Sequence, residues 1–218
     1  MKRLLTTLAM LCSVANAAVV ITPSVKAEIT DVVTPVELTM AVNAGPQYPV
    51  TKQGVLEFHL PDLTGQTVTS AILDISLTGA ARPFTSNAVT ELYIHGYAAD
   101  GVAMIGDRTS GSPVAGPFRA SWYVTSPNLP DLSSVDITSF VADLASRGES
   151  FIGLRFELVP ITPYPLELRF SVGESPGSAG TRDPRIFIET TPVPEPSLSC
   201  LVVLAMSAAM GRRRRIEE

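Results

Sequence analysis

The sequence predicts an all-β fold with one short helix, a sandwich or a barrel built from one domain. Val, Ile, Thr, Leu and Phe dominate residues 18–191, and Pro or Gly interrupts them at short intervals. Several of these runs alternate apolar with polar residues, which is typical of strands that are buried on one face. We call this segment the body. Its roughly 175 residues are enough for one domain with a well-packed core and too few for two domains of ordinary size.

The first part of the body predicts three strands. The runs 19–29 and 36–42 are predicted as two short opening strands, and a Thr-Pro pair separates them. Residues 43–51 contain a Gly-Pro pair and a further proline, which indicates a loop. The run 54–60 stops directly before Pro61, as expected of a strand, because proline cannot donate a hydrogen bond to a sheet.

Two further strands are predicted from alternation. In the run 68–77 one parity carries Val68, Ser70 and Ile72. The other parity is apolar from Ala71 onwards, so Leu73, Ile75 and Leu77 should face the core. In the run 91–97, one face carries Leu92 and Ile94, and the other carries Tyr93, His95 and Tyr97. The residues between the two runs, 79–87, are predicted as a loop.

The second half of the body predicts a long connection and the helix. Residues 100–117 are rich in Gly, Ser and Pro and form the longest predicted loop, and 118–125 predict a strand that holds the only Trp. The helix is predicted at about 137–147 from i, i+3, i+4, i+7 spacing of Ile137, Phe140, Val141 and Leu144. Asp136 or Thr138 can cap its start, and the following glycine can end it. Strands are expected again at 151–159, 166–172 and 185–189.

The chain begins with the features of a secretory signal peptide. Lys2 and Arg3 form a basic start, residues 4–14 are apolar, and Ala15-Asn16-Ala17 has the small-x-small pattern of a cleavage site. Signal peptidase of the Sec export machinery is therefore expected to remove residues 1–17 and to leave Ala18 as the mature N-terminus.

Residues 192–218 form a second distinct segment. The motif Val193-Pro194-Glu195-Pro196 is followed by the apolar run 197–211 and then by Arg212-Arg213-Arg214-Arg215. At about 1.5 Å per residue, ~14 apolar residues reach ~21 Å as a helix, short of a ~30 Å hydrocarbon core. The run therefore predicts a transient membrane helix, and the arginines would hold its end on the cytoplasmic side.

This tail resembles the PEP-CTERM sorting signal of exported bacterial proteins, in all three parts and in their order. The resemblance implies recognition by a membrane protease of the exosortase type, which cuts near the motif and releases the body outside the cell. An ordinary single-pass anchor is the alternative. The tail thus predicts that the protein becomes extracellular or surface-bound, and it predicts nothing about the function of residues 18–191.

The composition between the two ends excludes some classes of function. Cys12 lies in the predicted signal peptide and Cys200 in the tail, so the mature body has no disulfide and no cysteine-based metal site. Between Ala18 and Pro196 there are 10 basic and 19 acidic residues, a net charge near −9. That acidity argues against nucleic acid as a partner, because phosphates require a basic face.

Three segments of the body share the pattern of one kind of secreted domain. The first joins the strand 54–60 to Val-Thr-Ser-Ala-Ile-Leu at 68–73, and the second is Val-Asp-Ile-Thr at 135–138. The third joins 170–174 to the Pro-Arg-Ile strand that begins at Pro184. Together they are similar to DNRLRE-type domains, although the tryptophan-rich segment of that family is reduced to Trp122. The resemblance implies a jelly-roll-like antiparallel β-sandwich of a kind found on extracellular and glycan-associated proteins.

Few residues of the body suggest catalysis or metal binding. The only histidines, His59 and His95, would need adjacent strands and a partner such as Glu57 or Glu91 to form a site, and a structural role is the more common one. Asp100, Gly101 and Asp107 offer oxygen ligands for calcium, but their spacing does not match an EF-hand, and such carboxylates commonly form turns. No nucleophile motif and no paired carboxylates are evident, so we expect neither a catalytic residue nor a cofactor.

The aromatic residues suggest a surface that could bind a polysaccharide. The candidates are Tyr93, Tyr97, Trp122 and Tyr123, with Arg108 and Arg119 as hydrogen-bond donors. The alternative is that Trp122 fills the core. A flat exposed row of Tyr93, Tyr97 and Trp122 would favour sugar binding, and buried rings would favour a structural role, in adhesion or assembly through an exposed strand edge.

The sequence therefore predicts an exported, non-enzymatic surface protein associated with the extracellular polysaccharide matrix. A glycan-active enzyme is the less favoured alternative.

Overall fold

The structure is a computed structural model of the 218-residue chain. It describes residues 17–36, 39–44, 51–81, 87–123, 126–164, 166–173 and 183–193. The predicted signal peptide up to residue 16, and the tail from residue 194 with its apolar run and arginines, lie outside the described residues. In the part of the chain that is described, no helix is long and apolar enough to cross a membrane.

The described residues form mostly β-strands, with one α-helix and one 3₁₀ helix, which confirms the predicted all-β class with one short helix. The helix α1 spans Thr138–Ser146, and the 3₁₀ helix spans Ile105–Thr109. The strands are β1 Ala17–Ile21, β2 Pro23–Ile29, β3 Val33–Pro35, β4 Thr39–Ala44, β5 Gln53–His59, β6 Gln66–Asp74, β7 Leu77–Ala81, β8 Ala88–Ala98, β9 Ser112–Tyr123, β10 Ser126–Asn128, β11 Val135–Asp136, β12 Phe151–Pro160, β13 Leu166–Ser171 and β14 Arg185–Pro192.

The strands pair antiparallel in three sheets. The large sheet has the order β10-β9-β8-β12-β5-β2-β3. The terminal sheet, which holds both ends of the described chain, has the order β1-β14-β6-β11, and the small sheet has the order β4-β13-β7. Only Ile75 and Ser76 separate β6 from β7, so the terminal and small sheets are joined through one nearly continuous stretch of chain.

The core lies between the inner face of the large sheet and the other two sheets. Phe156 of β12 contacts Phe170 of β13 across this core, with ring centroids 5.0 Å apart. All of these side chains are buried in one cluster: Met40, Val42, Leu56, Phe58, Leu73, Leu92, Ile94, Leu154, Phe156, Leu168, Phe170, Ile186 and Ile188. The predicted core-facing parity of Ala71, Leu73 and Ile75 is confirmed, and Leu77 packs against the same cluster.

Helix α1 packs against β6 and covers one side of the core. The Asp136 carboxylate accepts the Thr138 backbone N–H at 2.8 Å, which satisfies one of the free donors at the helix start. Gly148 follows the helix with a φ of 70°, the left-handed conformation that glycine adopts most readily. Val141 and Leu144 are buried, as their spacing predicts.

Several predicted boundaries are wrong. The run 19–29 is two strands rather than one: β1 pairs with β14 in the terminal sheet, and β2 pairs with β5 in the large sheet. The run 36–42 begins too early and stops too soon, because β3 ends at Pro35 and β4 spans Thr39–Ala44. Apolar composition alone did not locate the break at Thr22, because Val, Ile and Ala occur on both sides of it.

Two predicted loops are too long. Strand β7 extends to Ala81, inside the predicted loop 79–87, and β9 begins at Ser112, inside the predicted connection 100–117. The prolines of β9 suggested a loop. They are tolerated because the pairing of β8 with β9 shifts register between Leu92 and Ile94, and again between Ile94 and His95.

Candidate functional site

The outer face of the large sheet, which points away from the core, divides into two areas. Alternation along β8 places Tyr93, His95 and Tyr97 on this face, opposite the core residues Leu92 and Ile94, as predicted. The loop of residues 99–111 crosses one part of the face, which we call the covered area: Gln53, Glu57, His95, Tyr97 and Arg155. The rest is the open area: Glu91, Tyr93, Arg119, Tyr123 and Val159.

A buried carboxyl–phenol pair lies at the centre of the covered area. The Tyr97 hydroxyl donates to Glu57 Oε1 at 3.0 Å, and Glu57 Oε2 has no hydrogen-bond partner among the described residues. Glu57 is fully buried, and Tyr97 is 8% exposed. Gly153 is the cross-strand neighbour of both residues, and a β-carbon there would overlap the Tyr97 ring. The pair therefore depends on a glycine at this position.

Burial sets the ionisation of this pair. Desolvation raises the pKa of Glu57, the negative charges of Asp107 and Asp100 raise it further, and the hydrogen bond from Tyr97 opposes them. Burial likewise raises the pKa of the Tyr97 phenol, to which the charge of Glu57 adds. The pKa of Asp107 is raised by burial, against the hydrogen bond that it accepts from the Met104 backbone N–H at 2.7 Å. The covered area therefore favours neutral acids.

Arg155 holds the loop onto the sheet. It is 5% exposed, its Nε donates to the Ser110 carbonyl at 3.1 Å, and its Nη1 lies 2.8 Å from Glu157 Oε2. The side-chain amide of Gln53, oriented to satisfy both neighbours, donates to the Arg108 carbonyl at 2.6 Å and accepts from Arg155 Nη1 at 3.2 Å. Each of these buried polar groups thus contributes to fixing the loop.

His95 shares the Glu157 carboxylate with Arg155. Its Nε2 lies 2.9 Å from Glu157 Oε2. Burial lowers the pKa of His95, as does the charge of Arg155, while Glu157 acts in the opposite direction. A neutral imidazole that donates from Nε2 fits this arrangement, so His95 has a structural partner.

The open area brings one ring together with charged groups of both signs. The Tyr93 hydroxyl donates to Glu91 Oε2 at 3.0 Å, which raises the pKa of Tyr93. Glu91 is the cross-strand neighbour of Arg119 on β9 and of Val159 on β12. Tyr123 is 47% exposed, and Val159 is 41% exposed. A ring edge, a carboxylate and a guanidinium on one strand face can contact a hydroxyl-rich ligand.

The structure separates the six predicted ligand-binding residues into three places. Tyr93, Arg119 and Tyr123 lie in the open area. Tyr97 is buried beneath the loop, and Arg108 belongs to that loop, where its Nη1 donates to the Thr30 carbonyl at 3.1 Å. Trp122 packs against the core cluster. The three rings Tyr93, Tyr97 and Trp122 therefore do not form a flat exposed row. The Tyr97 ring is enclosed by Gly153 and the loop, and strand parity turns the Trp122 ring towards the core.

The other candidate residues have local structural partners. The Asp100 carboxylate accepts the Val102 backbone N–H at 3.0 Å, so Asp100, like Asp107, organises the turns of the loop. The ring of His59 contacts Phe151 edge-on, with centroids 5.2 Å apart. Among the residues that the structure describes, no three His, Cys, Asp or Glu side chains are placed so that they could hold a metal ion.

Sequence reasoning missed Arg155, and it considered Glu57 only as a possible partner of the two histidines. Glu57 and Arg155 are polar side chains within otherwise apolar strands, and that interruption was the available signal. Nothing in the sequence indicated that the loop would cover them.

No protein-family model matches the chain, and none of the curated proteins matches it. The geometry of the two areas is therefore the evidence for function in the body.

Proposed function

We propose that this chain is an exported, non-enzymatic protein of the cell surface or extracellular matrix, delivered by its PEP-CTERM-like tail through an exosortase-type protease. The observation that carries the proposal is the tail itself: the motif 193–196, the short apolar run and the four arginines in order. The folded body supports it, since β1 begins at Ala17 and β14 ends at Pro192, next to the two predicted processing points. In its finer topology, we propose that the sandwich is jelly-roll-like.

The open area is the surface that we propose for contact with extracellular polysaccharide. Tyr93, Glu91 and Arg119 combine an aromatic ring with a hydrogen-bond acceptor and a donor on a rigid strand face. The area is small, because the buried Tyr97 and the inward Trp122 do not contribute to it. We therefore expect weak binding to each sugar unit and retention through many units of a polymer.

The test of polysaccharide binding compares two aromatic–arginine pairs on different sheets. The double variant Tyr93→Ala/Arg119→Ala removes the open area. Its matched control is Arg185→Ala/Phe187→Ala, because the Arg185 guanidinium lies 5.7 Å from the exposed Phe187 ring on the terminal sheet. We expect the first variant to bind matrix polysaccharide from the producing bacterium about tenfold more weakly and the control to bind normally. Equal retention of both variants would exclude this surface.

A second candidate function is assembly through the edge of β1, and two observations favour it. Strand β1 is an edge of the terminal sheet, its five residues are uncharged, and Val20 is 53% exposed. The edge strands β3 and β10 of the large sheet each contain a proline, which blocks pairing. The burial of Tyr97 also favours a structural role. Replacing Val20 by Lys should abolish concentration-dependent association in sedimentation experiments if β1 mediates it, whereas Val32→Lys, at another exposed valine, should not.

A further inference from the structure

The end of β14 is held on both sides by other strands. On one side β14 pairs with β1, with Thr190 opposite Ala17. On the other side it pairs with β6, and the register shifts between Glu189 and Thr190. Beyond that shift, Thr190, Thr191 and Pro192 still lie opposite Val68, Thr67 and Gln66. We call Thr190–Val193 the junction segment.

Further contacts fix the junction segment to the body. The Val193 backbone N–H donates to the Gly65 carbonyl at 2.9 Å, one residue beyond the end of β14. Thr190 is 1% exposed, and its hydroxyl contacts the Gln66 side-chain oxygen and lies 3.5 Å from the Ala17 carbonyl. The chain is therefore hydrogen-bonded to the body through the first residue of the Val-Pro-Glu-Pro motif.

The sequence provides no spacer between this junction and the rest of the motif, because Pro194 directly follows Val193. A peptide that is recognised in an extended conformation offers its backbone groups to the partner, and here the junction segment is paired with β6 and its Val193 N–H is bonded to the Gly65 carbonyl. A protease in the membrane would thus meet a motif attached directly to a folded sheet.

We propose that the junction segment must unpair from β6 before the tail can be processed, so that the fold of the body controls its own release. This inference rests on the proposed function. Cleavage adds one water across one peptide bond and leaves a carboxylate on the body and an amine on the tail. The register shift at Glu189/Thr190 marks where unpairing stops, because the ladder is already interrupted there.

The predicted signal-peptide cleavage site is also part of this sheet. The bond between Ala17 and Ala18 lies inside β1, and these two residues face Thr190 and Glu189. Removal of the signal peptide takes Ala17 away, so the remaining part of β1 pairs with β14 only as far as Glu189. The junction segment is then held by β6 and by the Gly65 carbonyl. The order that follows is signal removal, closure of the terminal sheet, and then local opening for release.

The test is a flexible spacer, Gly-Ser-Gly-Ser, inserted between Pro192 and Val193 in the full chain, which leaves the motif 193–196 intact and frees it from the Gly65 carbonyl. Its matched control carries the same insertion between Ser133 and Ser134, which are exposed in a turn. In pulse–chase experiments in the producing bacterium, we expect the spacer to speed tail cleavage about fivefold or more, the change expected when at least one hydrogen bond fewer must open. The control should be cleaved at the rate of the unchanged chain.

A second variant tests the same step without a change in length. Thr190→Ala should speed tail cleavage, and Thr78→Ala should not, although the Thr78 hydroxyl also donates to a strand carbonyl, that of Arg169. Equal cleavage rates for the spacer variant, Thr190→Ala and the unchanged chain would overturn the inference and leave the proposed function standing. A tail that is never removed from the unchanged chain would overturn the proposed function itself.

Discussion

At the scale of single residues, the most unusual feature is the Glu57 carboxyl, which is fully buried and accepts a hydrogen bond from the Tyr97 hydroxyl. A carboxylate in such a site loses its hydration without an opposite charge to replace it, so the neutral form is favoured. The pKa of Glu57 is accordingly raised above 4.5. The unfolded chain therefore loses this proton at a lower pH than the native chain does. The free energy of unfolding must fall as the pH rises above the ordinary pKa of 4.5.

We predict that Glu57→Gln changes this pH dependence. Near pH 4 the variant and the unchanged protein should have similar free energies of unfolding, because both side chains are neutral. At pH 8 the variant should be more stable by about 1 kcal/mol or more, since it avoids a buried unpaired charge. Urea unfolding at both pH values measures the difference. The exposed Glu189→Gln variant is the control, and a constant difference between Glu57→Gln and the unchanged protein across this range would contradict the explanation.

Gly153 provides a second prediction at this scale. A methyl group there overlaps the Tyr97 ring, whereas a methyl group at Gly79 in β7 meets open space. We expect Gly153→Ala to lower the free energy of unfolding by about 1–3 kcal/mol, the usual cost of overpacking. Gly79→Ala should have little effect. Similar denaturation midpoints for the two variants would show that the Tyr97 ring is not confined as described.

Residue types and strand parity were enough to place Tyr93, His95 and Tyr97 on one face, but not to determine which of them is exposed. Exposure depends on a loop that crosses from a distant part of the sheet. Its anchors are Arg155 on β12 and Gln53 on β5, far from the loop in the sequence. Local pattern carries no information about such contacts, so the covered and open areas could not be distinguished before the structure.

At the scale of secondary-structure elements, the loop 99–111 determines how the outer face can be used. It begins near Gly101 and ends at Gly111, both with positive φ (86° and 85°), and Arg155 and Gln53 hold it in between.

Most of the strands that the loop crosses could be predicted from the sequence, because alternation repeats over several residues. The switch of sheet between β1 and β2 was not, since apolar residues continue on both sides of Thr22.

We predict that Arg155→Gln loosens this loop. The change removes the bond to the Ser110 carbonyl and the ion pair with Glu157, which is partly exposed and keeps His95 as a partner, so it should cost about 1–3 kcal/mol. Limited proteolysis should then cut within residues 99–111 faster than in the unchanged protein. Arg147→Gln, which removes an exposed i,i+4 pair with Asp143, is the control and should cost less than about 0.5 kcal/mol. Slow cleavage in both variants would mean that Arg155 does not hold the loop.

At the scale of the whole molecule, the central observation is that both ends of the described chain belong to one sheet. Ala17 pairs with Thr190, and Val193 is bonded to Gly65, so the predicted signal peptide and the predicted tail leave the body from neighbouring positions. The two segments were recognisable in the sequence because each has a local composition of its own. That the two segments lie close together could not be recognised in the sequence, because their proximity results from pairing between residues at opposite ends of the body.

The most direct test of the account is the mass of the protein recovered from outside the producing cells. Signal removal and tail processing predict a chain that begins at Ala18 and ends within or next to residues 193–196, so that residues 197–218 are lost. A variant without Arg212–Arg215 should remain unprocessed. An extracellular protein that keeps its tail, or a chain found only inside the cell with Met1 intact, would contradict the account.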